Sequence, residues 1–91
     1  MKQILREKKA FLREGFKVKR IGIFGSWVRN EQKKGSDIDI LVEFEGPIGL
    51  LDFVALENYL SGLLGIKVDL VMKSALKQRI GERILKEVVY V

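Results

Sequence analysis

Two short groups of residues in this chain could do chemistry. Asp37 and Asp39 flank a single isoleucine in the run Ser36-Asp37-Ile38-Asp39-Ile40-Leu41-Val42. On a β-strand, side chains two apart project to the same face, so the two carboxylates stand side by side, roughly 7 Å apart along the backbone. Like charges held that close cost energy unless a cation sits between them. Hard carboxylate oxygens favour Mg²⁺, which takes one or two such ligands and completes its shell with water and substrate phosphates. The second group, Gly25-Ser26, stands where the apolar run 18–24 ends. A serine there can cap a short helix, roughly Ser26 to Glu31, whose first amides point outward with the positive end of the helix dipole, a geometry that binds phosphate. Taken alone, Gly-Ser is also an ordinary capping turn and Ser-Asp-Ile-Asp an acidic strand opening; the two together, in this order, turn the balance towards a site.

The combination of Gly25-Ser26, a spacer of residues 27–36, and then Asp37-x-Asp39 resembles the nucleotidyltransferase superfamily that includes DNA polymerase β, and more narrowly its small stand-alone members, the minimal nucleotidyltransferases. The resemblance spans essentially the whole chain. It implies a third carboxylate on another strand, for which Asp69 is the candidate. It further implies that Asp37, Asp39 and Asp69 are catalytic and hold two Mg²⁺ ions, with Asp69 also general base towards an acceptor hydroxyl. Gly25, Ser26, Arg29 and Ser36 are implied as nucleotide-binding, with ATP the substrate. Members of the family often carry glycine where this chain has Asn30, a departure confined to the helix end.

The elements that must position these residues follow from periodicity. Lys2 to Glu14 reads as an amphipathic helix with Ile4, Leu5, Phe11 and Leu12 on one stripe and Gly15 as its stop. Val18 to Phe24 is a strand, in which Gly22 admits a close approach by a neighbour or a ligand. Trp27 anchors the following turn against the sheet or stacks on a base, and 32–36 is a polar connection whose Lys33 and Lys34 could reach a triphosphate. From Asp37 to Phe44 the alternation puts Ile38, Ile40, Val42 and Phe44 on one face and the carboxylates on the other; Glu43, about 13 Å beyond Asp39, is too far to be a ligand. Leu50 to Leu64 is a helix with Leu50, Phe53, Val54, Leu60 and Leu64 as its buried stripe and Gly65 as its stop. Ile66 to Met72 is a third strand, and a strand-helix-strand connection favours parallel pairing, which brings Asp69 beside the Asp pair. A last helix begins at Ser74, with Leu76, Ile80, Ile84 and Leu85 apolar, Gly81 a weak point and Lys77, Arg79, Arg83 and Lys86 a basic flank. Val88 to Val91 is a short edge strand, a buried tail or a docking segment.

The expected fold is α+β in the order αβαβαβα: a small mixed sheet of three to four strands, helices on one face and carboxylates on the other, as in a nucleotidyltransferase palm core. The chain has 91 residues, 47% of them hydrophobic, enough for one domain over residues 1–91 and little to spare, so an oligomer or a partner would help it. It has no cysteine, hence no disulfide and no thiolate metal site. No apolar run reaches the ~20 residues of a membrane span and Met1 to Arg6 lacks a signal-peptide core, so the expected location is the cytoplasm without membrane association. A formal charge of +5 suits a phosphate-rich substrate, but the aromatics Phe11, Phe16, Phe24, Phe44 and Phe53 occupy core-like positions, so a specific nucleic-acid interface is not expected.

So small a chain has no room for an acceptor-binding domain. The minimal nucleotidyltransferases that this chain resembles are usually the antitoxin partners of HEPN-type ribonuclease toxins, and some transfer AMP to a tyrosine of the toxin. The resemblance therefore implies transfer of AMP from ATP to a hydroxyl, foremost a tyrosine of such a partner toxin. The alternative is a binding-only antitoxin that masks the toxin with its carboxylates idle.

Overall fold

The computed structural model describes residues 2–91. Met1, where the stretch read as lacking a signal-peptide core begins, lies outside them. The elements, in chain order, are α1 (Lys2–Glu7), α2 (Lys9–Phe16), β1 (Val18–Phe24), β2 (Ile38–Phe44), α3 (Leu50–Leu64), β3 (Val68–Met72), α4 (Gln78–Glu87) and β4 (Val89–Tyr90), with single 3₁₀ turns at Gly25–Trp27 and Lys73–Ala75.

One sheet carries the molecule, in the spatial order β3-β2-β1-β4. β1 runs antiparallel to β2 and to β4, and β2 runs parallel to β3, the pairing that the crossover helix α3 favours. The β2 alternation sorts as expected. Ile38, Ile40 and Val42 are completely buried, and they join Ile21 and Ile23 of β1, Val68 and Leu70 of β3, Leu5, Leu12, Leu56 and Leu60 in the core. The helical leucines therefore cover one face of the sheet. The free edge of β3 is closed by α3 itself: Val68 N–H donates to Ser61 Oγ (3.0 Å) and Leu70 N–H to Glu57 Oε2 (3.0 Å), which removes two unpaired edge donors. At the opposite edge, Gly22 admits β4. A side chain there would stand 2.7 Å from Val88 Cγ2 and 3.0 Å from the Val89 carbonyl oxygen. The segment 88–91 thus includes a short edge strand, and Arg20 stacks its guanidinium 3.8 Å from the centre of the Tyr90 ring.

Four expectations are corrected. The first helix is two, broken at Lys8, whose amide turns back to Leu5 O (3.1 Å) in a tighter turn. Gly15 does not stop the second one, which ends when Lys17 takes the left-handed conformation (φ 59°) and donates to Arg13 O. On α3 the stripe is rotated: Leu56 and Leu60 are completely buried, whereas Leu50 is 76% and Leu51 84% exposed and Val54 is exposed too. Apolar residues spread round the whole helix give little rotational signal, so its core face is chosen by where β3 lies. The last helix starts at Gln78 and not at Ser74, because Leu76 is extended (ψ 130°) and packs on Gly81, where a Cβ would meet Leu76 Cβ at 3.0 Å. Gly81, read as a weak point, is what lets the helix sit against its own lead-in. Ile80 and Leu85 remain exposed.

Candidate active site

The site forms where the β1 C-terminus meets the β2 N-terminus on the face opposite the helical core. Antiparallel register sets Phe24 opposite Asp39, and parallel register sets Asp69 of β3 opposite Asp39 on its other side. Asp39 is therefore the middle of three neighbouring strands, with Asp37 two residues back on the same face. Asp37 immediately precedes β2 and is exposed, Asp69 is exposed, and Asp39 is half-buried. Burial pushes the Asp39 carboxyl above its ordinary pKa, and the charges of Asp69 and Asp37 add to that; Arg29 opposes it and Glu87 reinforces it. Uncompensated negative charge is thus concentrated at one position. Among the described residues no three acidic side chains converge as a ready-made ligand cluster. Register brings the three strand positions together, and mutual repulsion favours side chains that splay. Glu43 lies outside the group, paired with Lys73 at 3.8 Å.

The Gly-Ser turn reaches this face at contact distance. Gly25 has φ +78°, and a Cβ on it would collide with Asp39 Oδ2, so only glycine fits, for reasons of both conformation and space. The helix expected over Ser26 to Glu31 is a single 3₁₀ turn. Ser26 is not its N-cap; that position falls to Phe24, and no side chain caps the turn. It closes early because Asn30 adopts φ 58° and Glu31 N–H returns to Ser26 O (2.8 Å), the six-to-one closure that ends helices. Asparagine tolerates this left-handed position, which explains why glycine can be exchanged for it. The Gly25 amide is bonded outside the turn, to Glu87, whereas those of Ser26 and Trp27 have no acceptor within it.

Arg29, expected at the triphosphate, is held on two carboxylates: it pairs with Glu87 and, through Nε, with Glu31 Oε1 (3.2 Å). The Glu87 hydrogen bond is the main reason that its pKa is raised. Glu87 closes α4, and its other oxygen accepts the Gly25 N–H at 2.9 Å. Burial pushes the Glu87 carboxyl up, but the Gly25 bond and the Arg29 pairing outweigh this and leave it below its ordinary value. Glu87 is the site residue that sequence reasoning missed. It stands 62 positions from Gly25, and the only signal was its place directly before the segment 88–91, whose β4 brings it back to β1.

Ser36 Oγ accepts the Lys33 N–H (2.8 Å) and shapes the connection ahead of Asp37. That connection walls an open cleft of about 710 Å³ beside Asp37, together with Trp27, Ile66 and the three lysines Lys33, Lys34 and Lys67. Trp27 packs partly on the core, and its indole Nε1 is the one buried side-chain polar atom without a hydrogen-bond partner among the described residues. No described helix is long and apolar enough to cross a membrane.

Comparison with known proteins finds relatives over the whole chain. The nucleotidyltransferase domain profile matches residues 5–91. The protein adenylyltransferase MntA of Thermococcus cleftensis is 56% identical over 91 residues, covering 100% of this chain and 92% of that protein. A solved candidate minimal nucleotidyltransferase superposes with a TM-score of 0.81 at 38% identity, over 96% of this chain and 89% of the other. The fold also recurs, at TM-score 0.70 and 23% identity, over 99% of this chain and 71% of the other, in a complex described as a tri-AMPylated Shewanella oneidensis HEPN toxin with its MNT antitoxin.

Proposed function

The chain belongs to the nucleotidyltransferase family and is an enzyme of that class; from that premise we propose that it transfers AMP from ATP to a hydroxyl of a partner protein, foremost a tyrosine of a HEPN-type toxin, and thereby acts as the antitoxin. The observation that carries this reading is the register that sets Asp39 of β2 opposite Asp69 of β3, with Asp37 two residues before it, beside the Gly25-Ser26 turn that ends β1. Two relatives support the choice of acceptor: one is named a protein adenylyltransferase, and the other is seen with an AMPylated toxin.

The donor set is three carboxylates with no nitrogen or sulfur ligand, and the raised pKa of Asp39 marks uncompensated charge, so the residues fit Mg²⁺. Held by Asp37, Asp39 and Asp69, Mg²⁺ would neutralise the triphosphate and acidify the acceptor hydroxyl. The chain's own groups do the rest. The Ser26 hydroxyl and the free amides of the turn grip the β- and γ-phosphates. The 710 Å³ cleft has room for the nucleoside or the acceptor side chain, and its lysines suit an anionic ligand. Asp69, exposed at the outer strand, takes the proton of the acceptor hydroxyl, whose oxygen attacks the α-phosphorus; the bond to the β-phosphate oxygen breaks, and pyrophosphate leaves. The toxin supplies the acceptor hydroxyl.

One observation favours a second reading. The acidic side chains do not converge as a ready-made ligand group, which suits an antitoxin that only masks its toxin. Radiolabelled ATP incubated with a purified HEPN toxin decides between them. Wild type is expected to label the toxin and Asp39→Asn not to; an Asp39→Asn protein that suppresses the toxin as well as wild type, with no labelling by either, would establish masking.

A further inference from the structure

Glu87 bonds the two ends of the Gly-Ser turn, which the backbone also ties together through Val28 N–H and Arg29 N–H to Gly25 O (3.1 and 3.2 Å). One carboxylate oxygen accepts the Gly25 N–H at 2.9 Å and the other takes the Arg29 guanidinium, so a single side chain grips both ends of the Gly-Ser turn. That turn has a narrow tolerance. Gly25 lies against Asp39 so closely that no Cβ fits between them, and the following amides reach the phosphates only if the turn stays there. The turn has no side-chain cap of its own, and its closure depends on Asn30 in the left-handed region. The Gly25 bond is part-buried, whereas the Arg29 pair lies at the surface where solvent screens it, so the Gly25 bond carries more of the clamp. Glu87 shares Arg29 with Glu31, so the guanidinium is braced between two carboxylates.

We propose that Glu87 is a positioning residue of the nucleotide site: it clamps the Gly25-Ser26 turn onto Asp39 by bonding the Gly25 amide and Arg29 together, so that α4 and β4 set the geometry of phosphate binding from the far edge of the sheet. This rests on the nucleotidyltransferase reading of the same site. It assigns Arg29 a role through Glu87 in place of contact with the triphosphate.

Calorimetric titration of the full chain with Mg²⁺ and a non-hydrolysable ATP analogue tests it, at a temperature where circular dichroism shows every variant folded. Glu87→Ala is expected to weaken binding about tenfold, the scale of one charge-assisted hydrogen bond lost. Glu87→Gln, which keeps an acceptor for the Gly25 amide, should recover affinity to within about threefold. Arg29→Ala combined with Glu87→Ala should be no weaker than Glu87→Ala alone, because both remove one clamp. In amide NMR spectra the Gly25 proton should move upfield in Glu87→Ala and stay near its wild-type position in Glu87→Gln. A folded Glu87→Ala with wild-type affinity, or with tighter binding, would overturn the clamp while leaving the site intact, provided Asp39→Asn loses binding. If Asp39→Asn binds as wild type does, the nucleotide site itself is misassigned and the clamp falls with it.

Discussion

The two faces of β2 solve opposite problems with alternate residues. On one face Ile38, Ile40 and Val42 are completely buried against helices, and each gains by leaving water. On the other, Asp39 is partly buried among like charges and pays in free energy for its place. A strand that needed only to fold would carry an apolar or neutral residue there. The contrast teaches that the core face builds the platform, while the carboxylate face gives up part of the resulting stability to hold charge where the proposed chemistry needs it.

The contrast can be broken most severely at Asp39. Asp39→Asn should lower transfer at least about 10³-fold, as expected when a group central to a preorganised electrostatic site is removed, while leaving the melting temperature equal or higher, since desolvation and repulsion are relieved; labelling rates and calorimetric melting check the two halves. Ile40→Ala on the opposite face should do the reverse, costing about 3 kcal/mol in denaturant titration with the residual folded fraction still active. Gly25→Ala attacks the contact between turn and carboxylate. Its φ of +78° and the collision with Asp39 should cost about 2 kcal/mol and abolish analogue binding together.

A smaller effect sharpens the electrostatic side. The folded pKa of Asp39 is raised, so protonation favours the folded state, and stability is gained as pH falls through that value towards the ordinary carboxylate value. The folded pKa of Glu87 is lowered, so its contribution is present above its ordinary value and lost as pH falls through the folded one. Stability should therefore rise slightly on mild acidification and then decline. Asp39→Asn should remove the rise and Glu87→Gln the Glu87 part of the decline, as read from melting temperature against pH. The smallest effect belongs to the side of α3 turned away from both: Leu51→Gln, at a site 84% exposed, should change stability by less than about 0.5 kcal/mol.

What was legible in the sequence depended on range. β1, β2 and α3, the last bounded by Gly65, declare themselves through short-range alternation and stop signals, and the Gly-Ser and Asp-x-Asp groups lie within one local stretch. The parallel neighbour carrying Asp69 followed from a general rule of connection. The misses share a physical cause. The break at Lys8, the rotation of α3 and the delayed start of α4 are decided by tertiary packing, which overrides weak local preference. The short turn after Gly25 is ended by the backbone conformation of Asn30, which composition does not announce. Glu87 reaches the site only because two residues of β4 pair with β1, and a two-residue strand leaves almost no trace in a sequence.

The most direct test of the central claim is amide NMR of the full chain titrated with Mn²⁺ in the presence of the ATP analogue, because paramagnetic broadening reports where the cation sits. Broadening that begins at Gly25, Ser26, Asp37, Asp39 and Asp69 at the lowest Mn²⁺ and reaches the rest of the chain only as Mn²⁺ is raised is the predicted result. Broadening that starts at other acidic residues, or spreads evenly over the surface, would contradict the assignment of the carboxylate face as the place where nucleotide and metal meet.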